Sequence, residues 1–223
     1  MKAALDAAIT IVPRLFIADC ITIFATANTA LCIPAEVLSE LSFIQKQYPN
    51  VIFQFYNGDA TDITERLNHG NLDFAILLQP IDTLKYEYIK LPESSLWGVL
   101  MKKDCQFADL DMISKKELLQ MPLILYRRIG LQQNIADWAH TDIDRLHITA
   151  TYNVVHGSPA TFVKNNLGYF LMTKDLISEE PDSDVVFRPL KPELKIEYNL
   201  VWKRKNIFNN AAKVFLEEIK KIA

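Results

Sequence analysis

Residues 48–80, YPNVIFQFYNGDATDITERLNHGNLDFAILLQP, read as one strand, turn, helix, turn, strand unit. Val51–Tyr56 is a short run of branched and aromatic residues, and Asn57-Gly58-Asp59 breaks it. Ile63 and Leu67 then stand four apart ahead of Gly70, a helix stop. Leu72–Leu78 is nearly all apolar, which suits a strand buried on both faces in a parallel sheet with crossover helices. In doubly wound sheets ligands lie beyond the carboxyl ends of the strands, where helix N-termini turn free backbone N–H groups outward. Asn57, Gly58, Asp59 and Thr61 fall at such a position and are candidate ligand contacts. The competing reading of Asp59, Thr61 or Asp62 is a plain helix cap.

The same grammar extends upstream. Cys20–Ala25 reads as a first strand, Thr26-Ala27-Asn28-Thr29 as a polar turn, and Ala30 to Tyr48 as a helix with Ile33, Val37, Leu41 and Ile44 on one face and Pro34 in its first turn. Two such units put two helix N-termini side by side. Residues 1–19 are apolar without clean periodicity and are expected to be a linker remnant or irregular segment.

Downstream, the sequence predicts strands at Tyr86–Leu91 and Leu96–Met101, then a short helix opened by Ser114-Lys115-Lys116-Glu117, which has capping-box spacing. Strands at Leu123–Tyr126, His147–Tyr152, Tyr169–Met172 and Val185–Phe187 follow. Helices around Leu131–His140 and from Ser158-Pro159 lie between them. Ile196–Lys203 is a return strand, and Ala211, Phe215, Ile219 and Ile222 stripe a C-terminal helix. Two such halves with a late return imply that the chain crosses between lobes twice, near 97–102 and 198–204. The expected division is a first α/β lobe of 20–96 plus 204–223 and a second of 97–203.

At 223 residues, half of them apolar, the chain can bury one large core or two modest ones. A formal charge of -3, with basic residues in scattered small groups, argues against a nucleic-acid surface. Three widely spaced cysteines, Cys20, Cys32 and Cys105, contain no CxxC and point to a reducing compartment. Cys32, near a predicted helix start, reads either as a sensor thiol or as an inert core residue. Asp6, Arg14 and Asp19 interrupt what would otherwise resemble a signal peptide, and no run is long enough to span a membrane, so a cytoplasmic protein is expected.

Catalytic signatures are missing from the sequence. The four histidines, His69, His140, His147 and His156, have no paired metal spacing, and no GxSxG, GxGxxG or phosphate-loop pattern occurs among six glycines. Pro159 after Ser158 removes the N–H that an oxyanion hole would use. The expectation is a binding domain, not an enzyme, with no cofactor and no metal.

Leu41, Phe43-Ile44 and Tyr48-Pro49-Asn50-Val51, followed by Gly58, Asp62-Ile63, Leu67, Gly70 and Leu72-Asp73-Phe74-Ala75-Ile76, resemble the effector-binding domain of LysR-type transcriptional regulators. Val163, Leu167–Met172, Trp202 and Phe215-Leu216 extend the resemblance from about residue 20 to the end. It implies a two-lobed α/β fold like type 2 periplasmic binding proteins, with two crossover strands and an effector in the cleft. It also implies dimers or higher homo-oligomers with the 31–47 helix near the contact. DNA binding would come from a winged helix-turn-helix absent from these residues, so the chain is expected to be a truncated regulator or a free-standing binding domain.

Effector contacts carried over from the resemblance are Thr26, Asn28 and Thr29 in the first unit, Asn57, Gly58, Asp59 and Thr61 in the second, and Gln79 at the end of the third strand. Tyr126, Arg127, Arg128, His156 and Ser158 face them from the opposite lobe. An anionic effector would pair helix N-termini with one arginine fork. The rival reading is a solute receptor of a transport system, which would share the fold.

Overall fold

The computed structural model describes residues 20–26, 33–58, 60–78, 80–152, 159–177 and 184–223, with the backbone alone described at 20–26, 57, 58, 60 and 176. Asn28, Thr29, Cys32, Asp59, Gln79, His156, Ser158 and the N-terminal segment 1–19 lie outside the described residues.

The opening unit forms as its pattern requires. Strand β1 (Cys20–Thr26) lies parallel to β2 (Ile52–Gly58) on one side and to β3 (Phe74–Leu78) on the other. Helix α1 (Ala35–Gln47) connects β1 to β2, and α2 (Ala60–His69) connects β2 to β3. All five residues of β3 are buried, in keeping with its unbroken apolar run. Gly70, at φ +73°, takes the left-handed turn that ends α2.

Helix α1 begins later than its sequence suggested. Pro34 is its N-cap, in an extended conformation at ψ 142°, so Ile33 and Pro34 lie ahead of the helix and Ala35 opens it. Val37, Leu41 and Ile44 still form its buried face.

One continuous strand, β4 (Tyr86–Lys102), replaces the two strands expected there. On the return strand β10 (Lys195–Lys203), Glu197 faces Ser94 and Asn199 faces Lys90, so three β4 residues, Leu91, Pro92 and Glu93, stand against Tyr198 alone. This bulge accommodates Pro92, which has no N–H to give to the ladder, and lets the strand run on.

The second half holds β5 (Ile113–Ser114), α3 (Lys115–Leu118), β6 (Leu123–Tyr126), α4 (Ile129–Ala139), β7 (Ile148–Tyr152), α5 (Pro159–Lys164), β8 (Tyr169–Thr173) and β9 (Val185–Lys191). The Glu117 carboxylate accepts from the Ser114 backbone N–H at 3.0 Å, as the capping-box spacing anticipated. The hydrogen bond from the Ser114 hydroxyl holds the Glu117 carboxyl below its ordinary pKa. Helix α6 (Asn210–Ile222) closes the chain, and the Asn209 side chain accepts the Ala212 N–H at 2.7 Å.

Strand order is β2-β1-β3-β10-β4-β8-β6-β7, with β9 pairing β4 and β5. β10 is antiparallel to both β3 and β4, while the far end of β4 pairs antiparallel with β8 and β9. β4 and β10 therefore join two α/β lobes as adjacent crossover strands. The largest core cluster runs through both lobes; in it Phe74 stacks on Phe208 at 4.8 Å and meets Phe215 edge-on at 5.0 Å. A second core lies under α2 and a third under α5.

Candidate functional site

The parallel strands of each lobe end facing the same gap: β1, β2 and β3 from one side, β6 and β8 from the other.

Arg128 bridges the gap. It follows β6 directly and is the N-cap residue of α4. Its Nη1 donates to the carbonyl of Leu78, the last residue of β3, at 2.8 Å, and its Nη2 donates to the carbonyl of Pro80. Burial lowers the pKa of the guanidinium from its ordinary value. The lobes approach closely here, since a Cβ on Gly130 would stand 3.0 Å from the Pro80 ring.

A carboxylate group lies at the same level. Glu93, in the bulge of β4, accepts the backbone N–H of Ala35 at the start of α1, at 3.1 Å. Desolvation, and then the neighbouring carboxylates of Glu36 and Asp175, push the Glu93 pKa upward. Asp175, in the turn after β8, accepts the hydroxyls of Ser95 on β4 and Tyr198 on β10, which ties the second lobe to both crossover strands. Lys90 and Glu197 pair across those strands.

The expected contacts divide by position. Thr61 is exposed in the first turn of α2, Thr26 and Gly58 are the last residues of β1 and β2, and Asn57 stands one residue before the end of β2. Arg127 is exposed, whereas Arg128 is drawn inward to the β3 carbonyls. Tyr126 is buried, with its ring edge-on to Trp97 at 5.4 Å and against Tyr152 at 4.4 Å. Tyr152 donates to the Leu171 carbonyl at 3.1 Å, and burial raises its phenol pKa well above the usual value. Glu93, Ser95, Asp175, Tyr198 and Asn199 escaped the sequence reading. Asn199 carried a signal, being a lone amide in the run Tyr198-Asn199-Leu200-Val201-Trp202.

The family profile described as the LysR substrate binding domain matches residues 21–223. The chain belongs to the LysR substrate-binding domain family. The effector-binding domain of QuiR in complex with shikimate has this fold, with a TM-score of 0.77 at 16% identity over 92% of this chain and 97% of that one. The CcmR regulatory domain of Synechocystis PCC6803 in complex with 2-PG superposes with a TM-score of 0.68 at 14% identity, covering 92% and 97%. Among curated proteins, an uncharacterized HTH-type transcriptional regulator of Bacillus subtilis, YvbU, is 24% identical over 184 residues, or 82% of this chain. HTH-type regulator EstR of Acinetobacter baylyi is 27% identical over 84 residues, or 38% of this chain. This LysR domain spans 61% of the length of the first relative and 28% of the second. Both relatives are named as HTH-type transcriptional regulators. No helix among the described residues is long and apolar enough to cross a membrane, and none of their His, Cys, Asp and Glu residues form a metal-holding group.

Proposed function

We propose that this domain senses a small polar metabolite in the interlobe cleft and passes that signal to a DNA-binding module outside residues 20–223. The observation that carries the reading is Arg128, which reaches from one lobe to carbonyls of the other at the ligand end of the sheet. A compound that engages both lobes shifts their arrangement only by its difference in affinity for the two states. Coupling of about 1–3 kcal/mol is ordinary for such switches. The lobes we assign are 20–96 plus 204–223 and 97–203, with β4 crossing the first boundary and β10 ending at the second.

Thr26, Asn28, Thr29, Asn57, Gly58, Asp59, Thr61 and Gln79 form the proposed effector face of the first lobe. Tyr126, Arg127, Arg128, His156 and Ser158 form that of the second, with Tyr126 acting from within the core as a support. The regulator is proposed to act in the cytoplasm as a homodimer or higher homo-oligomer. Exposed Leu38 and Phe43 on α1, beside the edge strand β2 with exposed Ile52, Phe55 and Tyr56, support a contact between copies there. Regulators among the relatives favour this reading over a transport receptor.

The test is a thermal-shift screen of cytosolic metabolites, followed by calorimetry. A saturable stabilisation that Arg128→Lys weakens supports the cleft. Hits with unchanged affinity in both Arg128→Lys and Thr61→Ala would move the site elsewhere.

A further inference from the structure

Asn199 is fully buried on β10, facing Leu77 on β3 and Lys90 on β4. Its Nδ2 points at two carbonyls, those of Glu197 at 3.3 Å and Leu77 at 3.5 Å, so the amide orientation is set. Its Oδ1 is thereby turned the other way and has no hydrogen-bond partner among the described residues. An orphaned buried acceptor is unfavourable, and native structures keep few of them without a purpose.

Its place in the fold supplies that purpose. Asn199 lies one residue short of the β3 end, next to Leu78, whose carbonyl receives Arg128. By strand alternation it shares a face with Val201, which packs with Leu77, Ile63 and Leu67 in the core under α2. The amide therefore sits at the cleft-side rim of that core, where α2 begins and β3 stops. Lys90, its β4 neighbour, is committed to Glu197.

We propose that Asn199 is a specificity-determining residue whose Oδ1 accepts a hydrogen bond from a hydroxyl or amine of the effector. The inference rests on the cleft being the effector site, and it narrows the effector class to metabolites that carry such a donor. Because the oxygen is covered in this arrangement, the compound reaches it when the lobes part about β4 and β10. A site built to hydrogen-bond a donor rejects analogues without one, since its own polar atom is then left unpaired.

The experiment compares the wild-type domain with Asn199→Leu, and with Asn199→Val in case leucine is too long for the site. Both are titrated by thermal shift with shikimate, serine and glucose 6-phosphate as donor-bearing probes and with benzoate and acetate as donor-free ones. The expected result is that a donor-bearing probe shifts the wild type and binds roughly tenfold more weakly to the variants, while the variants without probe melt at or above the wild-type temperature. Equal binding to wild type and variants would show that solvent serves the oxygen and would overturn the proposal. A clear loss of melting temperature in both variants would make the amide a structural group and overturn it too. Stabilisation by benzoate or acetate alone would do the same. If no probe and no compound of the metabolite screen shifts the wild type, the effector reading itself fails, a result distinct from retained binding in the variants.

Discussion

Arg128→Ala is the substitution that most directly probes how the lobes are held together. It removes two hydrogen bonds donated by a charged group, to Leu78 at 2.8 Å and to Pro80, and leaves both carbonyls without that partner. Hydrogen bonds to charged groups contribute about 1.5–3 kcal/mol each. Burial of the guanidinium, visible in its lowered pKa, offsets part of that gain, so the net loss expected is about 2–3 kcal/mol. For a domain of this size each kcal/mol moves the midpoint by about 2–4 °C, which gives a fall of roughly 5–10 °C. Arg128→Lys keeps the charge but loses the planar fork, and an intermediate fall is expected. Thermal unfolding followed by circular dichroism measures both, and amide exchange at Ile81 and Leu131 reports whether the junction loosens. An Arg128→Ala midpoint within about 1 °C of wild type, with unchanged exchange, would refute the bridge as a stabilising contact.

Three further outcomes follow from the geometry. The Glu93 pKa is raised above its ordinary 4.5, so the native state holds that proton more tightly than the unfolded chain and stability falls as pH rises from 4.5 through the folded value. Glu93→Gln should therefore melt higher than wild type at neutral pH and converge with it near pH 4.5; a pH-independent difference in melting temperature would remove the carboxylate cluster as its cause. Asn209→Ala deletes the cap that accepts the Ala212 N–H, and urea unfolding should register a loss of about 1 kcal/mol. Thr61→Ala, at the exposed start of α2, should weaken effector binding in calorimetry while leaving the melting temperature within about 2 °C of wild type.

Local patterns were legible wherever one residue type answers to one physical demand. The five apolar letters of β3 demanded burial on both faces, Ser114 and Glu117 carried the cap of α3, and the Ala211, Phe215 and Ile219 stripe marked the inward face of α6. Boundaries failed where the deciding partner was remote. Pro92 reads as a strand break until β10 is laid beside it, because the bulge that shelters it is a property of the pair. Pro34 reads as a first-turn proline, yet its extended backbone puts it just outside α1.

From its letters alone this chain determined two successive strand and helix units, a return strand, a closing helix and membership of a ligand-binding family, since periodicity and turn chemistry act over a few residues. The tertiary structure alone decided which polar groups meet. Arg128 and Leu78 are 50 residues apart, and Ser95 and Asp175 are 80 apart. Whether an arginine reaches solvent or a distant carbonyl, and whether an amide such as Asn199 finds both its partners, depends on the packing of strands whose pairing no local run of sequence encodes.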